Sequence, residues 1–191
     1  MLRKVLVIIL GLGFLAAFAY TGYRYKAQQV PTHSPTADWN TYQKEGTPFT
    51  FKYPKNAVLW GREEGVIQIS LWGPTQKSDG ELGDGLSLRF YLPRTFEDKS
   101  LRDYVEAVRG EYAARESVVE ISEVEEIILN GLSGYIFSTK CLGNQGAQHI
   151  YLQSPHQPNV FVEIVDATLD PTNQGFKKII EQILSTFELL N

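Results

Sequence analysis

The sequence predicts an α+β domain: a twisted antiparallel β-sheet with helices packed on it, preceded by an N-terminal transmembrane helix. Three observations lead there. Short runs alternate apolar and polar residues with the period of two expected of half-buried strands, and Gly-, Asn- and Asp-rich turns of hairpin type join them. Two segments instead repeat apolar residues at helical spacing. The first 26 residues contain a long uncharged apolar run.

That run comes first in the chain. Arg3 and Lys4 precede residues 5–23, nineteen positions without a charge. As a helix they span about 28 Å, close to the hydrocarbon thickness of a bilayer. Tyr20, Tyr23 and Tyr25 would lie at the interface, with Arg24 and Lys26 beyond. The competing reading is a cleaved signal peptide, with Ala17-Phe18-Ala19 as a loose small-residue cleavage site. No cysteine lies nearby, which excludes a lipid-modified N-terminus. The basic excess before the span places the short tail inside and the rest of the chain on the extracytoplasmic side of the cell membrane, as a single-pass protein. Cleavage would instead leave it secreted or periplasmic. Residues 27–38, with Pro31, Pro35 and small polar side chains, read as a flexible linker that contains a solvated His33.

Residues 39–191 form the predicted folded domain. Phe49, Phe51 and Tyr53 share one face of a strand closed by Pro54. Ile67, Ile69 and Leu71 repeat the pattern. So do Leu86, Leu88, Phe90 and Leu92, with Ser87, Arg89 and Tyr91 facing the other way, and a Gly- and Asp-rich loop joins these two strands as an antiparallel pair. Ser100 and Asp103 make a capping-box start for a helix whose stripe is Leu101, Tyr104, Val105, Val108 and Tyr112. Residues 118–129 read as one long acidic strand, which turns at Asn130-Gly131 and returns over residues 132–139. Residues 160–165 are apolar on both parities except Glu163, as in a central strand covered on both faces. The last helix begins near Pro171 and places Phe176, Ile179, Ile180, Ile183, Leu184 and Phe187 on one stripe.

Charge and cysteine count narrow the function classes. Beyond residue 26 there remain 14 Lys and Arg against 22 Asp and Glu, a net charge of −8. An acidic domain does not seek phosphate backbones, so nucleic acid is excluded as a partner. A single cysteine makes no internal disulfide.

The candidate sites are few. Cys141 stands near His149 and His156. Aligning the apolar faces pairs Phe137 with Leu152 and Thr139 with Ile150 and makes Asn144-Gln145 a two-residue turn. That register sends the thiol and imidazole to opposite faces and leaves His149 exposed. Asp79, Glu81 and Asp84 gather in one loop without the ligand spacing of a calcium loop. Glu163, inside an apolar strand, calls for a cationic partner or a special environment. Trp39, Trp60 and Trp72 lie near strand ends, where tryptophan serves core margins and interaction surfaces alike. No nucleophile and base stand in a recognisable order, so the domain is read as non-enzymatic, without cofactor or metal.

The strand Phe49-x-Phe51-x-Tyr53-Pro54 followed by Trp60, the helix opening Leu101, Tyr104, Val105, the turn Asn130-Gly131-x-x-Gly134-Tyr135 and the ending Ile183 to Phe187 together resemble the PsbP-like fold family. That family includes extrinsic subunits of photosystem II and many bacterial envelope proteins. The resemblance covers residues 39–190 and implies a non-catalytic, extracytoplasmic interaction or assembly module whose partner is an envelope or membrane protein complex. It brings no catalytic residue with it. The alternative class is a small-ligand or metal-binding carrier or sensor domain of the cell envelope.

Overall fold

The computed structural model describes residues 35–63, 65–77, 81–96, 100–144 and 146–190. The expected transmembrane helix lies outside them, as does most of the linker. Among the described residues no helix is long and apolar enough to cross a membrane. The folded unit comprises Asp38–Asn191.

Its strands, in chain order, are β1 (Asn40–Tyr42), β2 (Phe49–Tyr53), β3 (Val58–Glu63), β4 (Val66–Trp72), β5 (Gly85–Tyr91) and β6 (Arg94–Thr95). After helix α1 (Leu101–Ala113) come β7 (Val118–Ile121), β8 (Glu125–Leu129), β9 (Leu132–Cys141), β10 (Gly146–Gln153) and β11 (Val160–Asp166). Helix α2 (Phe176–Leu184) and β12 (Glu188–Leu189) complete it. Nine strands form an antiparallel sheet ordered β3-β4-β5-β11-β10-β9-β7, with β6 beside β11 and β8 beside β9. A second sheet, β1-β2-β12, has three strands.

The alternation along β4 and β5 decides which face each residue serves. Ile67, Ile69, Leu71, Leu86, Leu88 and Phe90 turn to one side and meet α2 and the aromatic strand β2 in the main core. Phe51 stacks on Phe90 with ring centroids 4.3 Å apart, and Phe187 stacks on Phe90 at 5.7 Å. The opposite face has its own cluster, where Leu101 and Val105 of α1 pack on Phe137, Tyr151 and Phe161. The strand β11 contributes to both clusters and is buried from Phe161 to Val165, as its pattern, apolar on both parities except Glu163, predicts.

Three local features differ from the sequence expectation. The acidic strand is two strands: the chain leaves the sheet after Ile121 and rejoins it at Glu125. Val124 turns into the second core at the break, and Arg109 of α1 fastens the backbone there, its Nε donating to the Ser122 carbonyl at 2.6 Å. Helix α2 starts only at Phe176. The Asp170 carboxylate accepts the amides of Gln174, Gly175 and Phe176, which leaves residues 171–175 as a turn. The helix ends at Leu184, so Phe187 reaches the core from the short segment leading into β12.

The Asn130-Gly131 turn forms as expected. Both residues have positive φ, 51° and 81°, the conformation a two-residue hairpin requires. Asn130 does more than turn the chain, because its Nδ2 donates to the carbonyls of Leu184 at 2.7 Å and Phe187 at 2.9 Å. It thereby adds a donor to the carbonyls of the turn that follows α2, where the Phe187 amide also donates to Leu184.

Gly134 lies where β9 passes the Tyr151 carbonyl so closely that any Cβ would overlap that oxygen. Replacing Gly134 with Ala should cost about 2–4 kcal/mol in urea unfolding, because backbone and not a side-chain tip must yield. Gly110 lies exposed within α1 with open space around its Cβ position. Gly110→Ala should therefore raise stability by about 0.5–1 kcal/mol in the same assay.

Candidate functional site

A sheet of seven strands along its main path is about 29 Å wide at ~4.8 Å per strand. An α-helix covers only about 10 Å of that. On the face bearing α1, the helix packs over β7 and β9, and no helix among the described residues covers the β3-β4-β5 side. The alternation leaves polar side chains there: Gln68, Ser70, Ser87 and Arg89. The result is a cleft of about 560 Å³ between the open sheet and the last turn of α1.

The registers order the floor into rows. Trp60 pairs with Gln68, Gln68 with Arg89, Arg89 with Val165, Val165 with His149, and His149 with Phe137. At one end Trp60 and Trp72 meet edge to face, centroids 6.4 Å apart, and Trp72 is 55% exposed. Tyr112 of α1 forms the opposite wall, its ring 4.6 Å from that of His149 and capped by Arg115 at 4.0 Å. Burial raises the Tyr112 phenol above its ordinary pKa, although Arg115 opposes the shift. Trp39 is elsewhere and packs against the main core.

The expected register of β9 and β10 is wrong by three residues. His149 lies opposite Phe137, and Gly146 opposite Lys140. The connection is longer than a two-residue turn because Leu142–Asn144 form a 3-10 turn in which Gly143 takes φ 82°. Face alignment failed because residues 149–152 are buried on both parities, so hydrophobicity does not discriminate between registers. An odd shift exchanges faces, so Cys141 and His149 both border the cleft. They still do not form a pair: four residues along β9 separate Cys141 from the partner of His149, about 13 Å. His149 is not exposed but only 2% accessible, stacked on Phe137 at 4.7 Å. His156 is exposed in the β10–β11 turn.

His149 does touch an order that resembles a nucleophile, base and acid. Its Nε2 is 3.4 Å from Thr139 Oγ1, and its Nδ1 is 3.9 Å from Glu163 Oε1. The second distance is beyond the ~2.6–3.2 Å of a working proton relay. The Glu163 carboxylate is committed elsewhere. Tyr151 donates its hydroxyl to Oε1 at 3.1 Å, and Arg94 lies 3.5 Å from Oε2. Burial, with the Glu163 charge second, pushes the Tyr151 phenol far above its ordinary range, so it stays a neutral donor. Glu163, 8% exposed, thus has both a cationic and a hydroxyl partner within the strand layer.

Of the acidic loop, Asp79 lies outside the described residues. Asp84 is buried and its carboxylate is already saturated, accepting from Thr75 N at 3.0 Å, Thr75 Oγ1 at 2.8 Å and Thr172 Oγ1 at 3.0 Å. It ties the β4–β5 loop to the loop after β11. Gly73 leaves room for it, since a Cβ at that position would overlap the carboxylate. Burial acts to raise this pKa, but the donated hydrogen bonds prevail and hold it below the ordinary value. Among the described residues no group of three His, Cys, Asp or Glu is gathered closely enough to hold a metal ion. The sequence reading singled out the tryptophans and Glu163 but passed over Arg89, Gln68 and Ser70; the polar parity of β4 and β5 was the available signal.

No protein-family model matches the chain, and no curated protein matches it by sequence. Several solved structures share its architecture, among them the following two. One is the solution structure of cyanobacterial PsbP (CyanoP) from Synechocystis sp. PCC 6803, 11% identical, with a TM-score of 0.52 over 83% of this chain and 95% of that one. The other is the crystal structure of LpqN, involved in cell envelope biogenesis of Mycobacterium tuberculosis, 15% identical, with a TM-score of 0.56 over 84% and 99%. The domain has the PsbP-like fold.

Because the folded pKa of Asp84 is depressed, its stabilisation is present above the unfolded value of 3.8 and is lost as pH falls through the lower folded value. Asp84→Asn should lower the urea midpoint at pH 7 and make the midpoint less sensitive to acid below about pH 4. Tyr151→Phe should cost about 1–3 kcal/mol at pH 7, since it removes a donor from a buried carboxylate.

Proposed function

We propose that the protein is an extracytoplasmic interaction or assembly module without catalytic activity, tethered to the membrane through residues 1–26 and linked by residues 27–38 to the domain 39–191. The observation behind this reading is the uncovered sheet face with the exposed Trp72 beside Trp60, an aromatic pair of the kind that anchors protein interfaces. The PsbP-like fold supports it, and so does the role of LpqN in cell envelope biogenesis. The partner is an envelope or membrane protein complex, met by an acidic domain outside the cytoplasm. Nucleic acid is no partner.

A second reading, a small-ligand carrier or sensor, is favoured by the cleft, whose 560 Å³ falls within the usual range for ligand sites. Its metal-binding version draws no support from the described side chains.

Affinity capture of the full chain from gently solubilised membranes should return a stoichiometric protein partner, and Trp72→Ala should reduce that recovery by about tenfold or more while leaving the urea midpoint nearly unchanged. A chain that returns no protein but retains a small molecule in native mass spectrometry belongs to the second reading. Protease added to intact spheroplasts should digest residues 27–191; full protection would reverse the orientation.

A further inference from the structure

The floor of the cleft contains a cation for which the described residues supply no counter-charge. Among the described residues Arg89 has no ion pair, and its buried Nε has no hydrogen-bond partner. Its direct cross-strand neighbours are Gln68 and Val165. The second orphan, His149 Nδ1, lies in the same cross-sheet row. Leaving a buried polar group unpaired costs about 1–3 kcal/mol, and more for a charged one. A protein of net charge −4 does not lack carboxylates with which to pair an arginine.

We propose that the cleft binds a small organic anion, Arg89 taking its carboxylate or phosphate group while its planar body rests against the Trp60–Trp72 pair. The inference rests on the second reading above, that the cleft holds a ligand, and names the ligand's chemistry. Guanidinium presents a fixed fork of donors to two oxygens of such a group. Gln68, Ser70 and Ser87 stand around it, Gln68 Nε2 donating to Ser70 Oγ at 3.1 Å and Ser87 Oγ at 3.3 Å. This polar patch orients a head group that the tryptophans alone would leave free to rotate. Glu81, the one carboxylate among the described lining side chains, belongs to the β4–β5 loop, which leaves the sheet at Trp72, about 13 Å along β4 from the Arg89 row.

Isothermal titration calorimetry of the full chain in detergent micelles tests this with phenyl phosphate, benzoate and the neutral isostere benzamide. Both anions should bind saturably, and benzamide about tenfold more weakly or worse. Arg89→Gln should weaken the anions by about tenfold or more without changing benzamide, and Arg89→Lys should retain part of the preference. The urea midpoint of Arg89→Gln should not fall, because no internal partner is lost. Failure of either anion to give saturable heat at tens of millimolar overturns the proposal, as does equal affinity for benzoate and benzamide. A small molecule retained in native mass spectrometry to the same extent by wild type and Arg89→Gln would leave the carrier reading standing and remove the anion.

Discussion

The arrangement of the domain depends on a mismatch of widths. A seven-strand path needs about 29 Å of cover on each face, and a helix supplies about 10 Å. One face meets the requirement by combining α2 with the aromatic strand β2, so Ile69, Leu88, Ile164 and Phe187 are fully buried there. On the other face the described residues supply α1 only. The sequence answers this deficit residue by residue: beneath α1 the inward positions are Phe137, Tyr151 and Phe161, and away from it they are Gln68, Ser70, Ser87 and Arg89. The cleft is therefore the remainder of a packing problem, and its polarity matches a sheet face that no described helix covers.

Between covered and uncovered halves runs a band of buried polarity. Glu163, His149, Thr139 and Tyr151 all lie below one-tenth exposure at the margin of α1. A carboxylate in such a place must be paired or neutral. Arg94 approaches from β6 and Tyr151 from β10, so partners from two neighbouring strands hold the buried charge. Breaking one partner strands the other, which makes this band more sensitive to substitution than the apolar layers on either side.

Much of the fold was legible in residue patterns. The alternation of β2, β4 and β5, the capping box of α1 with Ser100 Oγ and Asp103 in reciprocal bonds, and the Asn130-Gly131 turn each follow from local rules, and each formed. What was not legible depends on contacts distant in sequence. β1, β6 and β12 have three, two and two residues, too few to show a period. The break at Ser122 exists because Arg109 and the second core reward it, and neither is visible within the strand itself. The register of β9 and β10 went astray because a strand buried on both sides has no polar face to align. The site suffered in the same way. The observed register brings His149 onto the cleft face with Cys141 but four residues away along β9, and Arg89, an unremarkable alternating residue in one dimension, becomes the charge without a partner among the described residues.

The last strand has a consequence in time. β12 pairs Glu188 with Thr50 and Leu189 with Phe49, and Leu190 donates its amide to the Pro48 carbonyl at 2.8 Å. The first aromatic strand of the core is thus sealed by residues made some 140 positions later. During synthesis, β2 waits with Phe49 and Phe51 exposed until residues 176–190 have emerged and α2 has docked. The chain stays extensible until its end appears, and a stall shortly before that point leaves the most aromatic strand of the protein as an open edge, ready to pair with whatever chain is nearest.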